Sequence, residues 1–489
     1  MTEYIGQKIK KGIVWTAARQ MILRPASFIA NIILARLLFP EDFGIFAMAV
    51  SISSFIQILG NMGITSFLIY TQEDIKECAD ASFWMSLTVG LAMFLLQSAI
   101  APFVAGFYKT QMVTKLMTVS ALGYVMSPFV NIHIALLRKN LEFKKQNLLE
   151  IVSALLAMTI SVIFALNGFR VWSFVLADIL SRPLMIYLYW KYCSWRPSFD
   201  LRLAYWKKVF GYGKHILGMG IFEELKNQSG NIVVGRLIGA KMLGFYSFAF
   251  QKVAFPLTEI AFLVGMIFQP AFSKLEKSNT EFKDLFFKSN RLVAILVYPI
   301  VLGLVAVAHE FIGVFYGSKW LFSVPILKIM LGGIFAQALA YIPWFACIAI
   351  GRPDIPFKFT VIVGLINIII MYFATKYFGI TGAASAFSIV YAIAHPIFVL
   401  VFLKLKKIKL MEFIISLMPG IICSFAMAAI LLILKNNVLY KINCSQFVNL
   451  FILVFVGATF YASFLLIFFK EVRVSLKEFS LDLIKGRFA

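Results

Sequence analysis

The chain has 489 residues, 61% of them apolar and 14% charged, with a mean hydropathy of +0.87. A soluble protein carries about 25% charged residues, so composition excludes a soluble globular domain and indicates a membrane class. The formal charge of +23 would suggest a nucleic-acid partner in a soluble chain. Here Lys and Arg stand in short clusters between apolar runs, as anchoring beside an anionic leaflet requires, and no nucleic acid is expected.

The opening MTEYIGQKIKKGIVW has no short hydrophobic core followed by a small-residue cleavage site, so no removed signal peptide is expected. A helix needs about 20 mostly apolar residues to cross the hydrocarbon layer. Spans are predicted near 12–38, 43–70, 81–107, 113–137, 148–168, 170–190, 212–238, 243–271, 288–308, 322–348, 357–377, 380–403, 411–434 and 447–469. The fold class expected is an all-α polytopic membrane protein of about fourteen transmembrane helices. Pro25, Pro183, Pro256, Pro299, Pro343, Pro396 and Pro419 lie in or near these spans as candidate bends.

In the first span Gln20, Arg24, Ser27 and Asn31 recur at steps of four, three and four, on one helical face. The end of that span reads NIILARLLFPEDFGIFAMA over 31–49, and 231–249 reads NIVVGRLIGAKMLGFYSFA. Asn31/Asn231, Arg36/Arg236, Leu37/Leu237, Gly44/Gly244 and Ala49/Ala249 coincide at one constant offset. Six spans separate equivalent points, so the copies cross in the same sense, as in parallel repeats. The expected division is a six-helix lobe at 1–192, a basic linker at 193–211, and a second six-helix lobe at 212–403. Two additional helices at 404–469 and a basic cytoplasmic tail at 470–489 complete it.

The seventh span repeats the polar stripe with Glu224, Asn227 and Asn231, so Arg24 corresponds to Glu224 and Ser27 to Asn227. Ionisable groups inside spans are costly against lipid and usually face a bundle interior or a watery cavity. Arg24, helped by Arg19, would attract an anionic group such as phosphate. Glu224 would pair with Arg24 or carry a coupling proton. The plainer alternatives are a structural contact between Arg24 and Glu224, and a local pairing of Glu223 with Lys226. Asp178 and Arg182, one turn apart in the sixth span, satisfy each other or line a cavity. Lys252 and Glu259 share a face of the eighth span and are further candidates for cavity lining or coupling.

Alternate loops hold the basic clusters: Lys8, Lys10 and Lys11; Arg138, Lys139, Lys144 and Lys145; Lys191, Arg196, Arg202, Lys207 and Lys208. The same side continues to Lys404, Lys406, Lys407 and Lys409, which places both termini in the cytoplasm. Five cysteines, Cys78, Cys193, Cys347, Cys423 and Cys444, lack metal spacing and give neither a disulfide framework nor a zinc site. No Ser-His-Asp arrangement, Walker loop or zinc-protease signature is present, so no catalytic residues and no metal are expected.

Several phrases carry a family resemblance: Gly12-Ile-Val-Trp-Thr, Ala35-Arg-Leu-Leu-Phe-Pro-Glu-Asp-Phe-Gly, Ala135-Leu-Leu-Arg-Lys-Asn-Leu-Glu-Phe-Lys and Gly168-Phe-Arg-Val-Trp. Gly235-Arg-Leu-Ile-Gly, Leu243-Gly-Phe-Tyr-Ser and Gly379-Ile-Thr-Gly-Ala-Ala continue it. Together they resemble the polysaccharide exporters, or O-antigen-type flippases, of the multidrug/oligosaccharidyl-lipid/polysaccharide transporter superfamily, closest to the capsule and colanic-acid branch. The resemblance implies two six-helix lobes in a V shape and a cationic cavity. It also implies export of undecaprenyl-diphosphate-linked oligosaccharide units across the bacterial cytoplasmic membrane for surface polysaccharide biosynthesis. Basic residues in cavity positions would be Arg19, Arg24, Arg182 and Lys226; Glu223 and Glu224 depart from a simple cationic cavity. Lipid-linked oligosaccharide and membrane lipids are the implied partners, with a polysaccharide polymerase and chain-length machinery as candidate associates. No cofactor is implied, and coupling to a proton or sodium ion stays open. The alternatives are a cation-coupled drug or metabolite exporter of the same superfamily, a peptidoglycan-precursor flippase, and a membrane-embedded glycan polymerase or ligase.

Overall fold

A computed structural model of the chain describes residues 2–61, 63–71, 74–199, 203–439 and 445–469. The expected tail at 470–489 and Cys444 lie outside them. A chain in hydrocarbon must satisfy its backbone internally, and these residues meet that demand with helices. The first of two compact units covers residues 1–247. It holds α1 (Thr2–Leu37), α2 (Pro40–Asn61), α3 (Ile64–Tyr70), α4 (Ile75–Tyr108), α5 (Met112–Met126), α6 (Pro128–Lys139), α7 (Phe143–Leu166), α8 (Trp172–Tyr192) and α9 (Leu203–Ser247). The second unit, 248–489, opens with a π-helical turn (Phe248–Ala254). It continues with α10 (Phe255–Lys274), α11 (Asn279–Tyr316), α12 (Ser323–Ala338), α13 (Tyr341–Ala349), α14 (Asp354–Leu405), α15 (Leu410–Leu434) and α16 (Gln446–Phe468).

Among the described residues nine helical stretches are long and apolar enough to cross a membrane, and the bent pair α5–α6 adds a tenth. Two of the nine are double. Gly239 (φ 83°) breaks the stretch 220–274, and Gly379 (φ 61°) breaks α14, each in the backbone region that favours glycine. With α1 and α8, which are long enough to cross but lie outside that set, the fourteen predicted spans are accounted for. Large apolar side chains stand exposed on both units, among them Phe103, Ile267, Ile393 and Phe451. In water such surfaces would drive association; against lipid they are the expected exterior.

The echoed sequences meet at a helix crossing inside the first unit. A Cβ on Gly44 would stand 1.7 Å from the carbonyl oxygen of Ala240, and one on Gly244 would stand 1.7 Å from that of Pro40. Residues 40 and 240 are themselves equivalent at the offset of 200. The contact is therefore reciprocal, as a two-fold relation between copies demands. Glycine at both positions lets the backbones of α2 and α9 approach.

Beside this crossing the phrases Pro-Glu-Asp-Phe-Gly and Gly-Phe-Arg-Val-Trp are joined. Asp42, almost fully buried, accepts from the Phe39 amide (3.0 Å) and pairs with Arg170 Nε (3.1 Å). The second copy has Met242 where the first has Asp42, so this ion pair belongs to the first repeat alone. Toward the other end of α4, buried Asp80 accepts from Trp195 Nε1 (3.0 Å), the Ser198 amide (3.3 Å) and the Ser198 hydroxyl, which fastens the start of the linker.

Pro128 opens α6 at a 46° bend from α5. Proline lacks the amide that would bond the carbonyl four residues back. That carbonyl, of Tyr124, accepts instead from Ser127 Oγ at 3.0 Å. The bend turns this segment's polar residues into the interior of the first unit. In the second unit, α15 and α16 lie against α11. Gly420 abuts the Ala294 backbone, Tyr461 donates to the Ile295 carbonyl (2.9 Å), and Lys435 pairs with Glu310 (2.8 Å).

Candidate functional site

Three segments of the first unit bring polar residues together at helical spacing. On α2 these are Ser53, Ser54, Gln57 and Asn61; on α5–α6, Ser120, Tyr124, Ser127 and Asn131; on α8, Asp178 and Arg182. Steps of three and four keep each set on one face. They line a cavity of about 430 Å3, and Phe46 and Phe174, stacked with centroids 4.7 Å apart, complete the wall.

Gln97 of α4, fully buried, supports the wall from behind. Its Nε2 donates to the Met117 carbonyl (2.7 Å) and to Ser120 Oγ (3.1 Å). The Tyr124 hydroxyl stands 2.9 Å from Gln97 Oε1 and 3.0 Å from the Ser53 carbonyl, two acceptors for its single hydrogen. Arg182 donates from Nε (3.2 Å) and Nη2 (2.8 Å) to Asp178 Oδ2, and from Nη1 to the Gly123 carbonyl (3.2 Å). A Cβ at Gly123 would stand 3.0 Å from the guanidinium, so the small residue makes room for it. The cavity's cation and anion thus neutralise each other, the arrangement that makes charge tolerable at membrane depth. Ser53 Oγ is buried with no hydrogen-bond partner among the described residues.

The other predicted residues take separate places. Arg24 is exposed on α1, its Nε 3.4 Å from Gln20 Oε1, and Asn31 donates to the Ser27 carbonyl (2.8 Å). Arg19 forms an ion pair with Glu150 of α7, which also accepts from Gln146 (2.7 Å) and stands 3.7 Å from Arg138. Its charge is therefore balanced inside the helix bundle. On α9, Glu224 Oε1 accepts from Gln228 (2.8 Å), and Gln228 Oε1 accepts from Asn231 (2.7 Å). The ladder runs through 228 rather than 227, and Asn227 is exposed. Glu223 is exposed and Glu224 half-buried, so Glu224 is the more inward of the two. Lys226 is half-buried, as are Lys252 in the π-helical turn and Glu259 in α10. Of the predicted set, only Asp178 and Arg182 line the cavity of the first unit.

Sequence reasoning passed over the α2 and α5–α6 stripes because it weighed ionisable groups. Yet 120, 124, 127 and 131 carry the same four-three-four spacing that singled out 20, 24, 27 and 31. A search for uncharged hydroxyls and carboxamides at helical period would have found them.

A lipid-facing helical exterior around an interior polar cavity defines a membrane protein of transporter class. The chain belongs to the polysaccharide biosynthesis protein family, whose model matches residues 33–325. It is 26% identical over 355 residues to the teichuronic acid biosynthesis protein TuaB of Bacillus subtilis, covering 72% of this chain and 74% of that one. It is likewise 26% identical to the succinoglycan biosynthesis transport protein ExoT of Rhizobium meliloti, over 70% of each chain. In fold it is similar to the lipid II flippase MurJ in an inward closed conformation, with a TM-score of 0.75 and 16% identity. That likeness covers 94% of this chain and 99% of the other.

Proposed function

We propose that the protein is a flippase that carries undecaprenyl-diphosphate-linked oligosaccharide units from the inner to the outer leaflet of a bacterial cytoplasmic membrane, for surface polysaccharide biosynthesis. The observation that carries this reading is a built polar cavity inside a unit whose outside suits lipid. A diphosphate sugar head cannot cross hydrocarbon unaided, because desolvating it costs many kcal/mol. A groove that shelters the head while the prenyl tail stays in lipid removes most of that barrier, and alternating access of the two repeat halves exposes the head on the far side. Arg24, on an open helix face, is the candidate for the phosphates, which arginine can bind through two parallel hydrogen bonds. Glu224, in its ladder with Gln228 and Asn231, is the candidate for coupling to a proton or sodium ion. No bond is made or broken, so the protein acts as a transporter and not as an enzyme. The termini lie in the cytoplasm, where the basic loops meet anionic lipid, and a polymerase with its chain-length machinery receives the exported unit.

Deletion of the gene, in a strain without a redundant exporter, tests the reading. Surface polysaccharide should fall and lipid-linked units should accumulate on the cytoplasmic side. Unchanged glycan with no stalled intermediate would reject it.

A further inference from the structure

We propose that the cavity among α2, α5, α6 and α8 is a subsite for an uncharged sugar residue of the transported glycan and not for its phosphates. The inference rests on the flippase reading and adds which part of the substrate this pocket receives.

Its lining offers hydroxyls and carboxamides, which donate and accept in comparable measure. Sugar hydroxyls need both. A phosphate only accepts and calls for concentrated donors, above all free arginine. Arg182 is the one cation among the lining residues, and Asp178 Oδ2 already takes two of its hydrogens. An entering diphosphate would have to share that guanidinium with the carboxylate and lie beside it, charge against like charge. A sugar meets no such conflict. The Asp178 side chain is 55% exposed, so it can accept from neighbouring hydroxyls while keeping its arginine. The stacked Phe46 and Phe174 offer an apolar surface for the C–H face of a pyranose ring.

Size sharpens the assignment. At about 430 Å3 the cavity lies toward the small end of the roughly 300–1,000 Å3 of ligand pockets. It holds one or two sugar residues, so the remainder of a repeat unit stays outside. Selectivity for the glycan would therefore be read at one position of the repeat.

Saturation-transfer NMR on the purified full chain in detergent tests this, with methyl glycosides of neutral hexoses and N-acetylhexosamines as one set of probes and inorganic pyrophosphate, followed by phosphorus line broadening, as the other. At least one neutral glycoside should receive saturation. Transfer should fall at least fivefold in Ser54→Phe, which fills the cavity, and in Gln57→Leu, a milder change on the same helix face; pyrophosphate broadening should be the same in both. Elution volume and melting temperature identify a variant that fails to fold, and Gln57→Leu then carries the test. No transfer to any glycoside, transfer that the folded variants retain, or glycoside displacement by pyrophosphate would overturn the subsite. Export in the deletion strain separates the two readings. If deletion stalls lipid-linked units but the variants restore full export and bind glycosides normally, only the subsite fails. If deletion changes nothing while variant-sensitive glycoside binding persists, the subsite stands as a sugar site and the flippase reading fails.

Discussion

Arg19 and Arg24 lie on the same helix, yet one is paired with Glu150 and the other is exposed. Removing Arg19 leaves Glu150 partly buried with Gln146 and a more distant Arg138. Arg19→Ala should therefore cost about 1–3 kcal/mol of stability and reduce the amount of folded protein. Arg24→Ala should leave abundance intact and cut export severely. Immunoblotting beside an export assay distinguishes them, and full export by Arg24→Ala at normal abundance would remove that residue from the site. Arg170 gives a second residue-scale prediction. The guanidinium is 55% exposed and Asp42 2%, so solvent screening weakens the pair, and Arg170→Ala should cost about 1–2 kcal/mol. In a double-mutant cycle with Asp42→Asn by thermal unfolding, a coupling below about 0.5 kcal/mol would show that the contact contributes nothing. Basic residues also prove less uniform than the loop count implies. Lys139 donates to the Leu68 (3.0 Å), Ile69 (3.4 Å) and Thr71 carbonyls at the end of α3, and Arg196 to those of Cys193 (2.6 Å), Trp195 (2.7 Å) and Trp190. These two satisfy backbone acceptors at helix ends, where a cation is favoured.

At the scale of elements, the reciprocal crossing of α2 and α9 yields the sharpest expectation. The atoms facing Gly44 and Gly244 are backbone carbonyls, which cannot swing aside as a side chain would. Gly44→Leu or Gly244→Leu should each destabilise by about 3 kcal/mol or more, read as a lower unfolding temperature in detergent, whereas Gly106→Ala, with nothing within 4 Å of the added carbon, should be close to neutral. Equal melting of the Gly44 variant and wild type would show that the crossing opens freely. Span positions were legible because hydrocarbon thickness fixes helix length, and the joints at Gly239 and Gly379 fell where apolar runs met a glycine. The break before α3 at Gly63 (φ 68°) and the π-helical turn at Phe248–Ala254 were not legible. Both sit inside the predicted spans 43–70 and 243–271, where hydropathy averaged over a whole span does not register a local change of backbone, even with Gln251 and Lys252 in the π-helical turn. The sharp bend at Pro128 was likewise missed among the many prolines, since what distinguishes it is Ser127 accepting the role of the lost amide donor.

For the whole molecule, the crossing places Glu41 and Lys241 at the same end of the first unit, next to Pro40 and Ala240. Cysteines introduced at Glu41 and Lys241 should both react with an impermeant maleimide in intact cells, and one at Lys407 only after permeabilisation. Cys78, Cys193, Cys347 and Cys423 are buried, and burial raises the Cys193 thiol above its ordinary range, so with Cys444 replaced the background should be low. Labelling of Glu41 and Lys241 from opposite sides would refute the parallel repeat.

By itself the sequence determined the membrane class, the fourteen spans and the duplication, because each is written along the chain: apolar length, helical period, and residues matched at one offset. Only the tertiary structure decided which polar groups meet. Arg19 turns to Glu150, Asp42 reaches Arg170 across 128 positions, and α2, α5, α6 and α8 close on a cavity built mainly from uncharged residues. Spacing tells which residues share a face, but the partner that face finds depends on how distant helices bend and pack, and no local pattern encodes that.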